Sequence, residues 1–243
     1  MLTAAWWGLV GGAALLLGAA LGVYGHVSNR VLGLVMAFGS GVLISAVSFE
    51  LTEEAYQAAG ALPVVIGLVS GSLVFFAGDA IIDRHGGNRR KSPTGKPQQG
   101  AGAMALVLGA LLDGIPESAA IGVSLLGGGT VGLPIVAAVF LSNVPESMSA
   151  SAGLKKAGRS TVEIMRLWTI VMVVASLSAA AGYVLLDGAS ETIVAVIQTF
   201  AAGAIITMLA DTMIPEATEH AGRLVGLLTM LGFAAAFLLS SLG

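Results

Sequence analysis

Asp113-Gly114-Ile115-Pro116-Glu117-Ser118 and Ser142-Asn143-Val144-Pro145-Glu146-Ser147 are two copies of one word, each set in the middle of a strongly apolar run. Each puts a proline directly before a glutamate. A charge at the centre of a bilayer costs at least about 2.5–3.5 kcal/mol on insertion scales. A proline inside a helix forfeits a backbone hydrogen bond and frees the carbonyl four residues earlier, here Leu112 and Leu141. Packing alone is a poor reason to carry both penalties in neighbouring segments. The pair predicts two kinked helices that face each other and build a polar site within a membrane.

The rest of the chain supplies the membrane. Of its 243 residues, 56% are hydrophobic and only 10% charged, where a soluble domain carries about 25% charged residues. Its 34 glycines suit close helix–helix approach in lipid. With no cysteine, neither disulfides nor thiolate metal ligands are available. The first basic residue is Arg30, so the N-terminus lacks the basic stretch of a cleavable signal peptide, and the first apolar segment is expected to stay in the mature protein.

A bilayer core asks for about 20 apolar residues per helix. Segments meeting that rule run at about 3–25, 31–55, 61–82, 101–125, 130–154, 164–186, 191–214 and 221–242. The 11 cations then sort themselves. Arg30 lies in the first connection. Arg84, Arg89, Arg90, Lys91 and Lys96 lie in the third, Lys155, Lys156, Arg159 and Arg166 in or beside the fifth, and Arg223 in the seventh. None falls in an even-numbered connection. By the positive-inside rule the odd connections are cytoplasmic and both termini outside. The expectation is an all-α, single-domain, multi-pass protein of the cell membrane with eight transmembrane helices and both termini extracytoplasmic. Residues 83–100, polar and rich in Gly and Pro, form a cytoplasmic loop, read as a topology anchor rather than as a metal-handling loop built on His85 alone.

Residues four apart share a helix face, so Asp113 pairs with Glu117 and Ser142 with Glu146, with Asn143 beside them. Carboxylates, an amide, a hydroxyl and proline-freed carbonyls make an oxygen-rich cage suited to a hard or borderline divalent cation. The bland alternative is a kinked helix pair whose acids are structural. Glu50 and Glu54 close the second helix on the outer side, either as a cation-attracting entrance or as a solvated helix end. Asp211, Glu216 and His220 close the seventh on the inner side, where they would serve an exit. No nucleotide-binding loop, protease word or basic aromatic surface is present, so neither an enzyme nor a nucleic-acid binder is expected. The glycines of the first helix, Gly11, Gly12 and Gly18, leave open packing within one chain or between two in a homodimer.

These residues resemble the ZIP family of divalent metal transporters, whose fourth helix carries His-Asn-x-Pro-Glu-Gly and whose fifth carries a His or Gln, an acid, then x-Pro-Glu-Gly. The likeness takes in the whole chain, through the ZIP-like helix bundle, the long third connection, the acidic end of the second helix and the Ile214-Pro215-Glu216-Ala217 stretch before His220. It implies a transport site between helices four and five, with Glu117 and Glu146 as its central ligands and Asp113, Ser142 and Asn143 completing it. It also implies a divalent metal ion as substrate, with no resident cofactor. The departures are specific. Asp113 stands where the family has a metal-binding His, Gly114 where it has Asn, and Ser142-Asn143 where it has a His or Gln and an acid. Ala179-Ala180 stands where many members have Glu-Pro, and Glu50 where a His is common. Losing these donors implies one metal site rather than two and an ion harder than Zn²⁺. Two alternatives stay open: a non-transporting relative that senses metal or serves as a structural membrane partner, and a proton or monovalent-cation transporter.

Overall fold

A computed structural model describes residues 1–25, 28–84, 103–126 and 133–241, with residues 103–107 and 134 described by backbone alone. The expected loop at 83–100 lies outside the described residues from position 85 onward. Every element among the described residues is helical. In chain order these are α1 (Leu2–Tyr24), α2 (Asn29–Ala59), α3 (Ala61–Ile82), α4 (Ala103–Val123), α5 (Leu133–Lys156), α6 (Thr161–Leu186), α7 (Glu191–Ala221) and α8 (Leu224–Ser241).

Six of these helices, α1, α2, α3, α6, α7 and α8, are long and apolar enough to cross a membrane. The pair that carries the Pro-Glu words, α4 and α5, is not among the six, and both border residues outside the described set. Their surroundings explain the different character of α5. From Ser142 to Ser151 only Val144 is not buried, so this helix meets other helices rather than lipid and has little need of an apolar surface. The bare apolar side chains belong chiefly to the outer helices, for example Leu73 and Phe76 on α3, Leu177 on α6 and Leu238 on α8. So large an apolar coat is what a bilayer requires and water does not tolerate.

Helix direction alternates along the chain, as paired contacts reveal. Gly18 and Gly22 of α1 meet Ser147 and Ser151 of α5, a parallel pair, whereas Gly8 and Gly12 meet Ala179 and Met172 of α6, an antiparallel one. Two groups result. In the first, α1 packs on α5 and α6, and α6 on α4; in the second, α2 packs on α7 and α8, and α3 on α7. Contacts between the groups are fewer and run mainly from α2 to α5 and from α4 to α7. Gly11, Gly12 and Gly18 are all used inside the chain, against Ile121, Met172 and Ser147.

Small residues set the closest approaches. A Cβ on Gly122 of α4 would stand 2.0 Å from the Ala179 carbonyl oxygen of α6, and one on Gly8 of α1 would stand 2.6 Å from the Ala179 Cβ. Three helices therefore meet at Ala179, which is fully buried. In the second group the Phe49 ring of α2 meets Phe233 and Phe237 of α8 at tilts of 59° and 53°, with centroid distances of 6.0 and 5.2 Å.

The helix ends depart from expectation for local reasons. The second helix runs on to Ala59 and the seventh to Ala221, each through a wider π turn, at Val47–Glu53 and Leu209–Met213. Both stop at a glycine with positive φ, Gly60 at 78° and Gly222 at 62°, a conformation that other residues adopt at a cost. In α7 the widening precedes Pro215, whose missing N–H and bulky ring disturb the i→i−4 ladder. The sixth helix begins early, at Thr161, because Ser160 and Glu163 form a reciprocal capping box.

Candidate metal centre

The described cations, Arg30, Arg84, Lys155, Lys156, Arg159, Arg166 and Arg223, all lie at or near one end of the bundle. At the opposite end Glu53, Glu54, Asp187 and Glu191 are exposed, and no described Lys or Arg accompanies them. A hollow of about 310 Å³ opens there between Ala58, Leu186, Asp187, Glu191, Val194 and Gln198. The molecule thus has an acidic pole and a basic pole.

Between the poles lie the two Pro-Glu words. Asp113, Glu117, Ser142, Asn143 and Glu146 are all buried, Glu117 and Ser142 completely. Glu117 comes forward because it sits one turn after Asp113 on the face that α4 turns inward; Ile115, between them, is exposed. The Ser142 hydroxyl spans the two words, lying 3.4 Å from Glu117 Oε1 and 3.0 Å from the Val139 carbonyl oxygen of its own helix. Glu146 follows Ser142 by one turn on the same face, within about 6 Å. A third helix borders this spot: a Cβ on Gly39 of α2 would lie 3.3 Å from the Leu141 carbonyl oxygen, the one that Pro145 leaves without its helical donor.

Asn143 points elsewhere. Its Nδ2 donates to the Gly11 carbonyl oxygen of α1 at 3.1 Å. Ser147 lies against Gly18 on the same side of α5, and the Trp168 indole N–H of α6 donates to Ser151 at 2.7 Å. One polar stripe of α5 (143, 147, 151) therefore binds α5 to α1 and α6, while the other (142, 146) belongs to the centre. Among the described residues, no three His, Asp or Glu side chains are grouped so as to hold a metal ion. Contact between α4 and α5 is sparse, so the expected face-to-face cage of three carboxylates is not closed in this arrangement.

The flanking residues divide between the poles. Glu50, half-buried, accepts a hydrogen bond from the Ser240 hydroxyl of α8. The Gln198 amide of α7 donates both to the Glu50 carbonyl oxygen at 2.9 Å and to Glu54 Oε2 at 3.3 Å. These acids are held at the acidic side by helices of their own group. Asp211 is exposed on the π turn of α7. Glu216 is buried and His220 partly so, towards the basic pole, where Gly33 of α2 lets α7 pass close to its own backbone. Gln198, Ser240 and Gly39 escaped the sequence reading. A lone Gln inside an apolar helix was a usable signal, whereas Ser240 and Gly39 matter only through what folding brings beside them.

No family model matches the chain, and no curated protein matches it.

Proposed function

We propose that the chain is a secondary transporter that moves a divalent metal ion of the Zn, Fe or Mn class into the cytoplasm, through a carboxylate site between α4 and α5. In this reading all eight helices cross the cell membrane with both termini outside, and the fold is ZIP-like. The observation that carries it is the buried meeting of Glu117 and Ser142 between two helices that each run through an internal proline, with Glu146 one turn away. Buried carboxylates within a membrane domain mark an ion pathway by default, because an idle charge there is selected against. The acidic pole supports entry, since exposed carboxylates concentrate cations at that face. The division into two helix groups supports alternating access, in which one group moves against the other around a central site. Glu117 and Glu146 bind the ion, Asp113 and Ser142 assist, and Asn143 ties the ion-bearing α5 to α1.

The test is ion uptake into cells making the chain, compared with Glu117→Ala and Glu146→Ala at equal membrane levels. Both variants are expected to lose the uptake that the intact chain confers, and uptake at the intact level by both would sink the reading. The absence of a three-ligand group among the described residues favours one other reading, in which the carboxylates carry protons or monovalent cations. That reading requires flux that follows pH and ignores added divalent ions.

A further inference from the structure

The donors gathered at the centre restrict which ion can rest there. Asp113, Glu117, Glu146 and Ser142 offer oxygen only, and Asn143, whose amide N–H is donated to Gly11, could add only its amide oxygen, because an amide nitrogen is no metal donor. The chain has no cysteine and three histidines, of which only His220 is among the described residues. It stands towards the basic pole, beside Gly33. At Ala179 the backbones of α1, α4 and α6 close to within a Cβ of one another, so that position of α6 has no room for a longer, donor-bearing side chain.

With no grouping of three His, Asp or Glu among the described residues, an ion at Glu117 and Glu146 receives few protein ligands there and keeps part of its water. Zn²⁺ favours compact four-coordinate shells rich in nitrogen and sulfur. Mg²⁺ does the reverse: it gives up water reluctantly and is held through one or two carboxylates with several waters retained. Mn²⁺ shares this taste for carboxylate, carbonyl and water oxygens.

We infer that the transported ion is a hard dication carried partly hydrated, Mg²⁺ or Mn²⁺, and that the site discriminates against Zn²⁺ and Cd²⁺. The inference rests on the transport reading above and moves its ion class from Zn²⁺ towards harder dications.

The experiment uses the full chain in proteoliposomes, with each of the four ions supplied alone and Zn²⁺ then added in equal concentration to Mn²⁺. Glu117→Gln serves as the blank, and Glu146→Gln replaces it if the first variant does not assemble. Saturable entry of Mg²⁺ and Mn²⁺ is expected, with Zn²⁺ and Cd²⁺ entering no faster than through the blank and equimolar Zn²⁺ leaving most Mn²⁺ flux in place. Zn²⁺ or Cd²⁺ entry that exceeds that of Mg²⁺ and Mn²⁺ and vanishes in the blank overturns this inference and leaves the transport reading standing. If no divalent ion enters faster than through the blank, the transport reading falls and the inference with it. The intact chain's ion panel decides the selectivity even if neither variant assembles.

Discussion

Replacing Gly122 by alanine tests the packing that holds the ion-bearing helix in place. The new methyl group would lie 2.0 Å from the Ala179 carbonyl oxygen and 3.1 Å from its Cα. Relief requires α4 and α6 to part by roughly 1 Å or more. Retreat of α6 is blocked, because α1 already presses on the far side of Ala179 through Gly8. Overpacking of this kind costs about 1–3 kcal/mol, while alanine regains up to about 1 kcal/mol of helix propensity over glycine. A 2.0 Å clash with a backbone atom takes the upper part of that range, about 2–3 kcal/mol, so the net loss is about 1–2 kcal/mol, or a fall of about 2–8 °C in Tm for a chain of this size. Thermal unfolding of purified protein in detergent reads it directly. Gly226→Ala is the control: a Cβ there has nothing within 4 Å, so the same change of residue should leave stability unchanged or slightly raised. If Gly122→Ala unfolds at the wild-type temperature while folding normally, α4 and α6 do not meet at this notch.

Other outcomes follow from single contacts. Ser151→Ala strands the buried Trp168 indole N–H and is expected to cost about 1–3 kcal/mol in the same unfolding assay; an unchanged Tm would mean that the indole finds another acceptor. Gln198→Leu removes the donor on the Glu50 carbonyl, so amide exchange across Val47–Glu53 should quicken while α6 stays as protected as before. Ala179→Glu, which puts an acid where three helices meet, should fail to assemble, because a fully buried site closed by Gly8 and Gly122 has room neither for the side chain nor for its charge. Recovery of folded protein in normal yield would contradict that packing. The cysteine-free background permits a topology test: an impermeant thiol reagent should label Ala189→Cys on intact cells, and Ala157→Cys only after permeabilisation. The opposite pattern would invert the orientation.

Several features of the centre were legible in one dimension because they depend on short spacing. Glu117 and Glu146 follow prolines in apolar surroundings, and four-residue spacing puts Asp113 and Ser142 on their faces. The cations were legible as well, since an up-and-down chain carries alternate connections to the same pole. Asn143 was legible in part: three residues before Glu146 it borders the same face, and only the fold shows its amide N–H tied to the Gly11 carbonyl of α1. Gln198 was overlooked for the opposite reason, being far from Glu50 in the chain and adjacent to it in space.

Composition and period by themselves determine that this chain is a bundle of apolar helices with its polar residues gathered at a few depths, because hydrophobicity and helical spacing are local properties. The tertiary structure alone decides which helices touch. It joins α1 to α5 and α6 through glycines, closes α1, α4 and α6 together at Ala179, and leaves α4 and α5 in light contact through Ser142 and Glu117. Those outcomes depend on whether backbones approach to within a methyl group, a matter of fit between segments distant in the chain that no single segment specifies.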